Sequence, residues 1–360
     1  MKSRVASAAA FAVSVFLLSM LAVGISSGPA KAEPIRGAGS TFAAPIIQKW
    51  SQNYRAARAD GGEFVSSDWR VDYELLGSLA GVMRLAQPEM DFAASDQPLP
   101  PADLARLGYA QFPIVIGGVA VVANLEGIAP GQLRLSGSVL AEIYLGRIGN
   151  WSDPAIAALN PEVRLPDLPI RVMHRRDGSG TTFTFTQYLS NSNGNWKLRF
   201  GADTTIAWPT GQGFEGTQGL IGQLRATRGA IGYVEYGQVR RAGLPFVQVD
   251  NWTGRFVRPE AATFQATANA ANWRAARDFY LHLTDVTSED GYPITAATFA
   301  IVPRTPRSAS RARSVVQLFQ LAFDEGSADA IALGYVPLPA ALVQQIRAFW
   351  RTELGLSPRS

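Results

Sequence analysis

From Phe112 to Leu125 the chain carries no charged side chain and is apolar at nearly every position, with Gly117 and Gly118 inside the run. Typical strands are about five or six residues long, so this stretch predicts a buried strand that leaves one domain and continues into another. A second apolar run, Ile294 to Val302, predicts the return. Crossovers near residues 115 and 297 divide the chain into a first lobe of residues 33–115 and 297–360 and a second of residues 116–296. With 360 residues and 47% hydrophobic content, the chain can fill two such cores.

Around these runs, strand patterns alternate with helical ones. Val71 to Leu76, Asp91 to Asp96, Ile170 to Met173 and Gly229 to Val234 read as strands. Ile46, Trp50 and Tyr54 recur every four residues and mark one face of a helix, Val82 to Ala86 suggests a short helix, and Val315–Phe323 and Pro339–Leu354 close the chain as packing helices. The alternation predicts an α/β fold, in which ligands bind beyond the carboxyl ends of the strands.

The first residues have a basic start at Lys2 and Arg4, an apolar middle from Val5 to about Val23, and Ala30-Lys31-Ala32 before Glu33. These are the parts of a secretory signal, with cleavage expected after Ala32. An uncleaved anchor is the competing reading, weakened by the Ser, Gly and Ala that dilute the run. The chain has no cysteine, hence no disulfide and no thiol for lipid attachment. A soluble periplasmic protein is therefore expected. The formal charge of +4 owes three residues to the signal; without Lys2, Arg4 and Lys31, 30 basic residues face 29 acidic ones. A net +1 is no nucleic-acid footprint.

The chemistry concentrates in glycine-hydroxyl turns that open helices. Arg175-Arg176-Asp177-Gly178-Ser179-Gly180-Thr181-Thr182 leads from a strand into an apolar helical run; Gly39-Ser40-Thr41-Phe42 and Gly77-Ser78 are similar turns. Backbone N–H groups at a helix start lack intrahelical partners, so Thr41, Ser78, Ser179 and Thr181 predict an anion site, with Arg175 supplying a two-pronged charge. In isolation Ser179 or Thr181 could be a plain cap and Arg175 a solvated charge. On this reading Arg175 serves the ligand alone, and its removal leaves the ligand-free protein stable. Asp96, at a strand's carboxyl end, would repel an anion unless the ligand carries a proton to donate to it; hydrogen phosphate does and sulfate does not. Taken alone, Asp96 could equally cap a helix before the prolines that follow.

Other chemistries fit poorly. The only histidines are His174 and His282, too few with no thiol to suggest a metal site. Ser179 follows Asp177-Gly178 and lacks the spacing of a nucleophile elbow. Gly211, Gly213 and Gly216 match a dinucleotide fingerprint in spacing, but Pro209 precedes them without a clear strand; Trp208 to Gly219 reads as a mobile loop.

The Gly-Ala-Gly-Ser-Thr-Phe start, Asp-Phe-Ala-Ala-Ser-Asp, Tyr-Leu-Gly-Arg-Ile, Arg-Arg-Asp-Gly-Ser-Gly-Thr, Gly-Ala-Ile-Gly-Tyr-Val-Glu-Tyr and Tyr-Pro-Ile-Thr-Ala-Ala-Thr-Phe motifs span nearly all of the chain beyond the signal. In these the chain resembles the periplasmic phosphate-binding proteins of the phosphate-specific ABC transporter, the PstS family. The resemblance implies a two-lobed type II binding-protein fold, two α/β domains joined by two crossover strands around a cleft that closes on phosphate. By position it assigns phosphate contacts to Thr41, Phe42 (through its backbone N–H), Ser78, Asp96, Arg175, Ser179, Gly180 and Thr181, and assigns Asp177 to orienting the arginine. It implies a monomeric receptor that needs no cofactor or metal and no nucleic acid, and that delivers inorganic phosphate to the permease subunits of an ABC transporter. A secreted phosphatase-like enzyme, or a receptor for sulfate or molybdate, is the alternative. Leu79 and Ala80 stand where the family usually has serine and glycine, and Glu215 where relatives often have lysine.

Overall fold

The computed structural model describes residues 34–59 and 70–356; the expected signal segment, residues 1–32, lies outside them. Among the described residues eleven strands form the frame, numbered in chain order: β1 (Ile35–Gly39), β2 (Val71–Leu75), β3 (Phe92–Ser95), β4 (Tyr109–Ala123), β5 (Arg134–Leu135), β6 (Arg171–Arg175), β7 (Gln212–Phe214), β8 (Ala230–Glu235), β9 (Gln248–Asp250), β10 (Phe256–Val257) and β11 (Thr295–Pro303). Eight of them make one sheet in the order β2-β1-β3-β11-β4-β8-β6-β7, and β10-β9-β5 form a small second sheet.

The long apolar run is the spine of that sheet. β4 is buried at every residue but its first. Its early part, Tyr109 to Gly118, pairs antiparallel with β11, and its later part, Val119 to Ala123, pairs antiparallel with β8. β11 in turn pairs with β3. The same strand thus belongs to the β2-β1-β3 half at one end and to the β8-β6-β7 half at the other. Within each half the remaining pairs are parallel.

Each half has its own aromatic centre. In the first, Phe112 meets Phe319 and Trp350 edge-on, with centroids 5.6 and 5.3 Å apart. These rings come from helices Ala309–Glu325 and Ala340–Glu353, which the sequence pattern anticipates. In the second, Tyr233 stacks on Phe185 at 4.4 Å, and Tyr144 packs against the same ring at 4.9 Å. Aromatic pairs at such separations add to the area they bury. Among the described residues no helix is long and apolar enough to cross a membrane.

Three local expectations change. The short helix after β2 begins at Ser78, because Gly77 takes φ 83° and turns the chain sooner than the apolar pattern suggests. The prolines after Asp96 do not only halt a strand: Pro101 opens the helix Pro101–Leu107, where a missing N–H costs nothing. Trp208 to Gly219 is not simply a loop, since β7 pairs with β6 and the helix Gly216–Ala226 starts inside the stretch.

Candidate functional site

β3 ends at Ser95, so Asp96 projects from the carboxyl end of a strand beside the central β11. It is 4% exposed. Its Oδ1 accepts hydrogen bonds from Ser40 Oγ at 2.6 Å and Thr298 Oγ1 at 2.7 Å, and its backbone N–H donates to Ser78 Oγ at 3.2 Å. Its Oδ2 faces the start of helix Gly180–Ser192: a Cβ on Gly180 would lie 2.8 Å from Oδ2 and 2.4 Å from Ser78 Oγ. Only glycine permits that approach. Burial pushes the Asp96 carboxyl up to about 6, against the opposing pull of the Ser40 and Thr298 hydroxyls, the Arg175 charge and Ser78.

Arg175 ends β6 on the other side, 3% exposed. Its Nε donates to Asp177 Oδ1 at 2.6 Å and its Nη2 to Asp177 Oδ2, a bidentate pair. Its Nη1 donates to Thr41 Oγ1 at 3.2 Å and Thr217 Oγ1 at 3.1 Å. Gly216 N–H adds a bond to Asp177 Oδ1 at 3.0 Å. Burial raises the Asp177 carboxyl, but the hydrogen bond and charge of Arg175, with Gly216 N–H, outweigh it and leave the group below its usual range.

The helix start between these two charges is fixed by its own cap. Ser179 Oγ accepts from Thr182 N–H at 3.3 Å, and Ser179 N–H is spent on Thr204 O at 3.0 Å. Gly180 and Thr181, the first two helical residues, have N–H groups without intrahelical acceptors at the positive end of the helix. Tyr233 OH accepts from Arg175 N–H at 3.1 Å and lies 2.7 Å from Thr182 Oγ1, tying strand end to helix start.

The two walls touch. Thr41 Oγ1 lies 2.8 Å from Thr217 Oγ1, Leu79 N–H donates to Gly178 O at 3.2 Å, and Gln238 Nε2 donates to Thr41 O at 3.1 Å. Phe42 follows with its ring buried near Tyr335, whose OH donates to Phe42 O at 2.6 Å. Thr41 and Asp177 are thus bonded to Arg175, Ser78 and Gly180 lie against Asp96, and Ser179 caps the helix start between them, with Thr181 buried in the same helical turn. Leu79 packs across the mouth, where a Cβ on Gly178 would come 2.6 Å from Leu79 Cβ. Glu215 is exposed and pairs with Arg176 at 3.2 Å, outside the cleft. His174 stacks on Trp208 at 4.7 Å, and among the described residues no cluster of His, Cys, Asp or Glu could hold a metal.

Residues 24–319 match the family model of a PBP superfamily domain. The chain is 40% identical to the phosphate-binding protein PstS of Xylella fastidiosa, over 90% of this chain and 86% of that one. It is also 40% identical to PstS of Haemophilus influenzae, over 90% and 95% of the two chains. The chain belongs to the PstS family. The phosphate binding protein of Stenotrophomonas maltophilia is similar in fold, with a TM-score of 0.67 at 21% identity, covering 90% of this chain and 96% of that one. The architecture is the two-lobed, type II binding-protein fold.

Within this PstS-family cleft, sequence reasoning passes over three residues. Ser40 was overshadowed by Thr41, yet it is Ser40 that binds Asp96. Thr217 sits in Gly216-Thr217, a fourth glycine-hydroxyl helix start whose signal is hidden in a stretch read as loop. Thr298 is a hydroxyl in the otherwise apolar β11, and a polar residue in a buried strand is itself a clue.

Proposed function

We propose that the protein is a non-enzymatic periplasmic receptor that binds one inorganic phosphate between its lobes and hands it to the membrane permease of an ABC transporter. The contacts in this reading are the hydroxyls of Thr41, Ser78, Ser179 and Thr181, the N–H groups of Phe42 and Gly180, the Arg175 guanidinium and the Asp96 carboxylate. Asp177 holds the guanidinium flat toward the ligand. The lobes comprise residues 33–115 with 297–360, and residues 116–296; the split pairing of β4 supports that division. Residues 1–32 act as a cleaved export signal.

A single observation carries the reading. Asp96 has Oδ1 saturated by two hydroxyls, while Oδ2 faces a helix start rich in donors and is left to accept a proton brought by the ligand. Monohydrogen phosphate offers three oxygens to the donors and one O–H to Asp96.

Isothermal titration of the exported protein with inorganic phosphate is expected to give one site per chain. Incubation with a phosphomonoester is expected to release no phosphate. Absence of binding, or turnover of the ester, contradicts the proposal.

A further inference from the structure

The peptide between Thr41 and Phe42 is held from the opposite wall of the cleft. Its carbonyl, Thr41 O, accepts from Gln238 Nε2 at 3.1 Å, and its N–H is the Phe42 donor of the proposed phosphate site. In a trans peptide the C=O and N–H point to opposite sides of one rigid plane, so a grip on one fixes the aim of the other. A hydrogen bond to the carbonyl also polarises the N–H across the plane.

Gln238 is built for this. It is 5% exposed, in the first turn of the helix Tyr236–Ala242. Its backbone N–H donates to Glu235 Oε2 at 2.9 Å, which anchors the helix start at the end of β8. Its side-chain Oε1 accepts from Gln218 Nε2 at 3.0 Å, which leaves its Nε2 turned to Thr41 O. Gln218 follows Thr217 on the helix that also contacts Arg175. The Arg175 side of the cleft is thus coupled to the Phe42 peptide by two amides.

We infer that Gln238 is a positioning residue for the anion: it bonds Thr41 O only when the lobes close, and by doing so aims the Phe42 N–H at the ligand. This rests on the proposed assignment of Phe42 N–H to phosphate. Closure and completion of the donor set are then one event, and loss of Gln238 speeds release and leaves encounter unchanged. The titratable and charged groups around Gln238 are Glu235, which burial pushes up to about 7, and Arg241, 3.7 Å from Glu235, with Tyr335 facing Glu235 from the other lobe.

The test compares wild type, Gln238→Ala, Gln238→Glu and Arg175→Ala by phosphate titration and stopped-flow dissociation at pH 5 and pH 8, with the melting temperature of each ligand-free protein. Gln238→Ala is expected to raise Kd about tenfold, almost all in the dissociation rate, with an unchanged ligand-free melting temperature. Gln238→Glu is expected to match wild type at pH 5, where a protonated carboxyl can donate to Thr41 O, and to match Gln238→Ala at pH 8, each expressed as a ratio to wild type at that pH. Wild-type release from Gln238→Ala, or a Gln238→Glu defect equal at both pH values, overturns the inference. So does a lowered melting temperature with unchanged release, which makes Gln238 a packing residue; should Gln238→Ala fail to fold, the Gln238→Glu ratio decides. Failure of wild type to bind phosphate, or wild-type binding by Arg175→Ala, brings down the site assignment instead.

Discussion

Arg175 and Asp96 face the same cleft, both nearly sealed from water, yet only one carries its own counter-charge. Arg175 is clasped by Asp177 through two hydrogen bonds, and the pair holds the Asp177 carboxyl below its usual range. Asp96 is surrounded by hydroxyls, and burial lifts it to about 6. On the proposed reading the paired charge is a preformed donor. On the same reading the unpaired one is an acceptor left incomplete, at a cost that falls away when a ligand brings a hydrogen to it.

Removing Arg175 strains this contrast most. Arg175→Ala is expected to weaken phosphate binding about a thousandfold by titration calorimetry, since charge-assisted hydrogen bonds are worth about 1.5–3 kcal/mol each. It also leaves Asp177 buried without its partner, which costs about 3–5 kcal/mol, so the ligand-free melting temperature is expected to fall. Adding Asp177→Ala should recover much of that stability and none of the binding. If the single variant melts like wild type, the pair is not the preformed element described here.

Asp96 predicts the reverse behaviour, read as opening. A carboxyl raised in the closed form favours closure below its ordinary value of 3.8, and that contribution is lost as pH rises through about 6. Small-angle scattering of the ligand-free protein is expected to show a larger radius of gyration at pH 8 than at pH 5, and Asp96→Asn is expected to reduce the difference, the remainder belonging to Glu235, which burial pushes up to about 7. A pH-independent radius in the wild type contradicts the assignment.

Gly180 is where the two regions meet, and it gives the smallest of the three effects. A methyl there would lie 2.4 Å from Ser78 Oγ and 2.7 Å from Asp96 Cβ, both on the facing wall. Gly180→Ala is expected to weaken binding about thirtyfold, an overpacking cost of about 2 kcal/mol, while leaving the ligand-free melting temperature near wild type because the open lobes do not press on it. A matching loss in ligand-free stability would mean the contact is not made by closure.

Much of this was legible before the fold. The uncharged run that becomes β4 disclosed a strand shared by two halves, because only burial on both faces tolerates such a composition. The helix starts at Ser78 and just after Ser179, and the turn at Thr41 that precedes the helix Ala44–Ala59, were visible because small residues with hydroxyls stand out between apolar patterns. Less visible was anything that depends on the third dimension. Thr217 and Gln238 make cross-cleft contacts, to Thr41 Oγ1 and Thr41 O, that no periodicity encodes. The resemblance already placed Asp177 beside Arg175, but the Gly216 N–H bond behind that pair is a contact no sequence pattern discloses.

The central claim, that one carboxylate without a counter-charge selects a protonated anion, is tested most directly by titrating the wild-type protein with phosphate in a large excess of sulfate. Phosphate binding is expected to be undiminished, with discrimination of about 10⁴ or more, because sulfate would set oxygen against Oδ2 of Asp96. Competition by sulfate at concentrations comparable to phosphate would contradict it.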